Sequence, residues 1–121
     1  MKRWHLFAIF LFLFVVLTVL TSLLVHAQET PRVIPITAKR FTFSPAEVTL
    51  KKGETVKLEL KTEDVTHGFF MKALHIDATL EPGKTAEVTV TPETAGKFLT
   101  ICDHFCGAQH GNMHMTIVVT E

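Results

Sequence analysis

The positions of hydrophobic and polar residues divide the chain into two parts with different patterns. Leu6–Val25 is an apolar run that contains no charged side chain, and it follows the basic pair Lys2-Arg3. About twenty apolar residues suffice to span a bilayer as a helix. The pattern therefore predicts one N-terminal hydrophobic helix in residues 1–27, acting either as a signal peptide or as a transmembrane anchor.

Two features of this first segment favour different roles, a cleaved signal peptide and a retained anchor. Val25-His26-Ala27 fits the small-residue cleavage site at the end of a secretory signal. The length of the apolar run favours a retained anchor instead. In both cases Lys2 and Arg3 keep the N-terminus in the cytoplasm, so the rest of the chain is exported.

The second part of the chain alternates in short β-type bursts, the first of which includes Arg40-Phe41-Thr42-Phe43. Thr55–Leu60 and Thr85–Val90 alternate strictly between polar and apolar residues, as half-buried strands do. Turn residues such as Gly53 and Pro82-Gly83 separate these bursts. We expect about seven short strands, which is typical of an all-β sandwich.

This reading divides the exported part into a linker and one domain. Residues 28–32 are a short polar linker, and residues 33–121 form the β domain. No stretch of the domain has a helical period of useful length, although the segment around residues 74–79 has room for one turn of helix. A chain of 121 residues leaves room for one small domain of this kind.

Charge excludes one class of partner. The chain has 12 basic and 12 acidic side chains, and Lys2 and Arg3 are the charged residues of the first 27. The exported part is therefore slightly acidic, which argues against nucleic acid as a ligand.

The chemistry is concentrated near the C-terminus, in Cys102–Met113. This segment contains two thiols, an imidazole at His110 and a thioether at Met113, directly after a predicted strand. Soft sulfur ligands together with imidazole are the donors that copper prefers, Cu(I) above all. Ca²⁺ and Mg²⁺ are poorly matched because Asp103 is the one carboxylate of the segment. His67, next to Gly68 in a predicted strand end, is the candidate for a further ligand.

Three simpler interpretations remain open at this point. The two cysteines of an exported domain can form a structural disulfide, although so short a loop stabilises little. A zinc site is disfavoured by the thioether and by the lack of a third cysteine. A mononuclear blue-copper site formed by His67, Cys106, His110 and Met113 would leave Cys102 unused.

Other histidines and methionines are assigned to surface or packing. His75 lies in a turn-rich stretch and is expected at the surface. His114 should point away from the site if it already belongs to a strand. Met71 and Met115 are expected to fill the core.

The arrangement Cys-x3-Cys-Gly-x2-His-x2-Met, preceded by His67-Gly68-Phe69, resembles the CuA domain of cytochrome c oxidase subunit II. It is also similar to the C-terminal domain of nitrous oxide reductase. The resemblance runs from about Phe41 to the C-terminus and is strongest to short bacterial subunits with one membrane helix. It implies a Greek-key β-sandwich of the cupredoxin type after the N-terminal helix.

The resemblance also implies a ligand set for a dinuclear centre with two copper ions. Cys102 and Cys106 would bridge both ions through their thiolates. His67 and Met113 would complete one copper, and His110 and the backbone carbonyl of His104 the other. Because protein groups would fill every position, no substrate could enter.

The function implied is electron relay on the periplasmic face of a membrane. Electrons would come from cytochrome c or a similar donor and pass to the catalytic subunit of a haem-copper oxidase, with no catalysis by this chain alone. The alternative is a free-standing periplasmic protein that binds or delivers copper.

Overall fold

The computed structural model describes residues 1–26 and 30–121 and contains two compact units, Met1–Thr30 and Pro31–Glu121. The predicted cleavage site after Ala27 and the first residues of the predicted linker, 28 and 29, lie outside the described residues.

The first unit is a single helix, α1, which spans Lys2–His26. Its segment Lys2–Leu23 contains an 18-residue stretch with a mean hydropathy of 2.8 and is long and apolar enough to cross a membrane. The predicted N-terminal hydrophobic helix is therefore confirmed.

The second unit is built from strands. Within the described residues there are nine: β1 (Arg32–Lys39), β2 (Thr42–Ser44), β3 (Glu47–Lys51), β4 (Val56–Thr62), β5 (His67–Met71), β6 (Ile76–Leu80), β7 (Ala86–Val90), β8 (Gly96–Ile101) and β9 (His114–Thr120). They form a four-stranded sheet in the order β2-β1-β4-β7 and a five-stranded sheet in the order β3-β9-β8-β5-β6. The pairs β1–β4 and β3–β9 are parallel, and the others are antiparallel. The predicted β-sandwich is confirmed.

Two local predictions were wrong. The segment with room for a helical turn, residues 74–79, falls mostly in β6, and the short 3-10 helix Lys72–Leu74 overlaps it at Leu74 alone. The reason is tertiary, because β6 pairs antiparallel with β5 along its whole length, from His67↔Leu80 to Met71↔Ile76. Arg40 and Phe41, read as part of a strand, instead form the turn between β1 and β2.

One hydrophobic core lies between the inner faces of the sheets. Val56, Leu58 and Leu60 on β4 are fully buried, as their alternation predicts. The opposite sheet contributes alternate residues of β9, and Phe43 meets Phe69 edge to face with ring centroids 5.4 Å apart. Each such large side chain stabilises the fold by about 1.5–3 kcal/mol through burial.

The register of the five-stranded sheet brings three strand ends together. Phe70 on β5 pairs with Ile101 on β8, and Ile101 pairs with His114 on β9. The start of β5, the end of β8 and the start of β9 therefore lie at one edge of the sheet. The segment between β8 and β9 closes over this edge.

Replacement of Thr100 by valine is expected to stabilise the protein. Among the described residues, the Thr100 hydroxyl is a buried side-chain polar atom without a hydrogen-bond partner. A methyl group of similar size removes that unsatisfied donor, and we expect a gain of about 1 kcal/mol. Thermal unfolding of the full chain in detergent measures the change. Thr49→Val, at an exposed strand position, is the matched control. If Thr100→Val lowers the stability and Thr49→Val does not, the Thr100 hydroxyl stabilises the fold and the prediction is wrong.

Candidate metal centre

The structure brings the six residues proposed as copper ligands to one place at the edge described above. The ligand atoms of three of them, all buried, lie within 4.8 Å of one another: His67, Cys102 and Cys106. The others adjoin the two sulfurs, and they are His104, His110 and Met113.

The two cysteines form the middle of the cluster. Both are free thiols, and their Sγ atoms are 3.8 Å apart. Around Cys102, His67 Nδ1 lies at 3.8 Å and the carbonyl oxygen of His104 at 3.2 Å. Around Cys106, His110 Nδ1 and Met113 Sδ both lie at 3.8 Å. Each thiol therefore has two further donor atoms beside it.

His67 is the first residue of β5 and is fully buried. Asp64 Oδ1 lies 2.7 Å from its Nε2. An ionised carboxylate accepts hydrogen bonds and does not donate them, so Nε2 carries the proton. Nδ1, which faces the Cys102 sulfur, is left with a free lone pair for a metal.

Asp64 is held in its ionised form by its neighbours. Burial on its own raises the pKa of Asp64. Hydrogen bonds from the backbone N–H of Arg40, the ring of His67 and the backbone N–H of Val65 together outweigh it and hold the pKa of Asp64 well below its usual range. The carboxylate is therefore present throughout the neutral pH range and remains an acceptor for His67 Nε2.

The loop that carries the other donors is closed by backbone hydrogen bonds. Cys102 N–H donates to the carbonyl oxygen of Met113 at 3.1 Å, which joins the two ends of the loop. A 3-10 turn at His110–Asn112 then reverses the chain, with Met113 N–H bonded to the oxygen of His110. The Cys106, His110 and Met113 donors are thus on one compact piece of chain.

Gly68 permits the close approach of this loop to β5. Its N–H lies 3.4 Å from Cys102 Sγ. A Cβ at this position would overlap the Asp103 carboxylate and would lie 2.8 Å from the backbone nitrogen of His104. Only glycine therefore allows β5 and the loop to meet at this distance.

The Cys106 thiol is protonated when no metal is bound. Burial, together with the adjacent Cys102 thiol, raises the pKa of Cys106 to about 11. A metal that binds the thiolate must displace this proton. The buried sulfurs are otherwise shielded from water, since Cys102 and Cys106 are 3% and 4% exposed.

The donor set fits copper. It combines two thiols, two imidazole nitrogens, a thioether and one carbonyl oxygen, all within reach of a sulfur pair. This is a soft set that suits Cu(I) and mixed sulfur–nitrogen copper sites. Asp103 is exposed and no carboxylate is among the atoms within 4.8 Å in the described cluster, so hard cations are poorly matched.

The expectations for two further histidines and two methionines agree with the structure. His75 and His114 are exposed, and Met71 and Met115 are buried in the core. The sequence reasoning missed Asp64, whose spacing of three residues before His67 is the one available indication. It also missed Arg40, which is distant in sequence from every donor and contacts Cys106 through the fold alone.

Comparison with known proteins identifies the family to which the chain is similar. The model of the Cupredoxin-like domain family matches residues 8–119. Nitrous-oxide reductase of Cupriavidus necator is 38% identical over 90 residues, which cover 71% of this chain and 14% of that protein. Cytochrome c oxidase subunit 2 of Thermus thermophilus is 31% identical over 86 residues, which cover 71% of this chain and 64% of that protein. The chain thus spans less than two thirds of each relative.

Solved structures share the fold. The periplasmic domain of subunit II of cytochrome oxidase from Bradyrhizobium japonicum superimposes with a TM-score of 0.70 at 19% identity, covering 78% of this chain and 87% of that one. The blue copper protein auracyanin A of Chloroflexus aurantiacus gives a TM-score of 0.61 at 20% identity, covering 75% and 100%. At such identities these likenesses establish the fold alone, and they confirm the predicted cupredoxin-like sandwich.

Gly68→Ala is expected to push the loop away from β5. The new Cβ would meet backbone atoms that cannot move without displacing Cys102, so we expect a destabilisation of about 1–3 kcal/mol and weaker retention of copper. Gly111→Ala is the matched control because a Cβ there meets nothing within 4 Å. Unfolding and copper content of the full chain in detergent are measured for both variants. Equal behaviour of the two would contradict the role assigned to Gly68.

Proposed function

The chain belongs to the cupredoxin-like domain family, and from that premise we propose that it is a membrane-anchored electron-transfer protein whose cysteine–histidine cluster binds copper. The observation that carries the proposal is the buried pair of thiols with two further donor atoms beside each sulfur. The similarity to cytochrome c oxidase subunit 2 supports it.

We propose a dinuclear centre in which Cys102 and Cys106 bridge two copper ions. One ion would take His67 and Met113, and the other would take His110 and the His104 carbonyl. The cluster is compatible with this division, since each pair draws one donor from beside Cys102 and one from beside Cys106. When bound, the copper pair would supply one-electron redox chemistry.

The protein residues have three tasks in this function. The strands and the closed loop hold the donors in fixed positions, so little rearrangement accompanies a change of charge. Asp64 keeps the Nδ1 atom of His67 free for the metal. The buried surroundings of the sulfurs exclude water. Because the donor set leaves no position for a substrate, it suits electron relay better than catalysis.

We propose that the copper domain lies on the extracytoplasmic side of a membrane that α1 crosses. Lys2 and Arg3 precede the apolar segment and favour a cytoplasmic N-terminus. The donor would be cytochrome c or a similar carrier, and the acceptor would be the catalytic subunit of a haem-copper oxidase. The relatives named as cytochrome c oxidase subunit 2 support this context.

Copper stoichiometry and electron paramagnetic resonance on the full chain, purified in detergent and loaded with copper, test the proposal. We expect two coppers per chain that share one unpaired electron. Cys102→Ser removes one bridging thiolate, so the shared signal should disappear. His114→Gln is the control, because His114 is exposed and adjoins Met113 in the chain.

Three outcomes would contradict the proposal in different ways. One copper with a localised electron would indicate a mononuclear cupredoxin. Copper that a modest chelator removes readily would favour delivery of the metal over electron relay. No bound copper would leave a structural role for the two cysteines.

A further inference from the structure

We propose that Arg40 is a positioning residue of the metal centre. It connects the histidine side of the ligand set, formed by Asp64 and His67, to the cysteine side, the loop Cys102–Met113. The inference rests on the proposed function, since the groups that Arg40 holds are the proposed ligands. Arg40 and Phe41 form the two-residue turn between β1 and β2, in the sheet opposite to the one that carries the donors.

The backbone of Arg40 holds the histidine side. Its N–H donates to Asp64 Oδ2 at 2.8 Å. The other carboxylate oxygen, Oδ1, accepts from His67 Nε2 at 2.7 Å. The carboxylate is thus fixed through both oxygens, and one of them orients the imidazole.

The side chain of Arg40 holds the cysteine side. Its Nε–H donates to the backbone carbonyl of Cys106 at 2.7 Å, and this bond is partly shielded from solvent. A charged donor at this distance makes a strong hydrogen bond. It fixes the peptide plane after Cys106, and with it the direction in which the Cys106 side chain leaves the backbone.

The close approach of Phe41 to Gly107 shows that the Arg40–Phe41 turn packs against the loop Cys102–Met113. A Cβ on Gly107 would lie 2.8 Å from Phe41 Cζ, 2.9 Å from its Cε1 and 3.5 Å from Arg40 Nε. Gly107 also has a φ of +144°, which L side chains rarely adopt. The loop therefore carries glycine at a residue over which the Arg40–Phe41 turn packs.

The charge of Arg40 is free to act on the centre. Within residues 1–26 and 30–121, its guanidinium forms no ion pair with a carboxylate. Arg32, at the other end of β1, is instead paired with Glu54 at 3.0 Å. An unpaired positive charge beside the centre favours the state with more negative charge, which is the reduced state.

Two substitutions separate the hydrogen bond from the charge. In Arg40→Gln the amide nitrogen is the same number of bonds from the backbone as the arginine Nε, so a donor is kept while the charge is lost. Arg40→Met removes both. Neither changes the backbone N–H that binds Asp64. Arg32→Met is the matched control, because Arg32 begins β1 and lies roughly 26 Å along the chain direction from Arg40, which follows the end of β1.

The first measurement is amide hydrogen exchange of residues 110–113 in the metal-free full chain in detergent. We expect exchange about tenfold faster in Arg40→Met, because a charge-assisted bond that anchors the loop is lost. Arg40→Gln keeps a neutral donor, so its exchange should be accelerated less than in Arg40→Met, and Arg32→Met should match the wild type. Unchanged exchange in Arg40→Met, or equal acceleration in Arg40→Gln, would overturn the assignment of the Nε bond.

The second experiment measures copper release and the reduction potential of the copper-loaded protein. Loss of a group that orients ligands typically weakens metal binding by about 10–100-fold, and we expect copper release to a chelator to accelerate in this range for Arg40→Met. The reduction potential should fall in both Arg40 variants and stay unchanged in Arg32→Met. If the wild type binds no copper, the proposed function fails, while the exchange experiment still decides the role of Arg40.

Discussion

The structure of the site depends on the antiparallel register that places β8 between β5 and β9. Phe70 pairs with Ile101, and Ile101 pairs with His114. The residues that begin β5, follow β8 and precede β9 therefore meet at one sheet edge, and they are His67, Cys102 and Met113. A slip of one residue would turn every side chain of a strand to the opposite face. The donors are thus brought together by hydrogen bonding of the backbone.

Assembly of the site at a sheet edge places polar groups where they need partners. The fully buried His67 is hydrogen-bonded to Asp64, and the carbonyl of Cys106 accepts a hydrogen bond from Arg40. These contacts join both sheets of a small domain, which has a limited core to stabilise it. Under the proposed function, a metal bound across the same junction would add to the stability of the fold. The same contacts would then hold the ligands in fixed positions and stabilise the domain.

The errors in the sequence reasoning have a common physical cause. Ile76–Leu80 carries Ala78 and Thr79, which mark neither a strand nor a helix clearly, and pairing with β5 makes it a strand. Arg40 lies directly before Phe41-Thr42-Phe43, a β-type pattern, yet it occupies a turn that packs on the distant loop. Local propensity is a weak guide where contacts distant in sequence supply most of the stabilisation.

The sequence by itself determined the N-terminal apolar helix, the β-sandwich and a soft donor set. Apolar run length, strict alternation and ligand spacing are local properties, and residues 102–113 contain most of the donors within one loop. Only the tertiary structure decided that His67 faces Cys102, that Asp64 selects its tautomer and that Arg40 reaches Cys106. Those contacts join residues from separate strands and turns, and their distances follow from sheet pairing and packing, which no local pattern encodes.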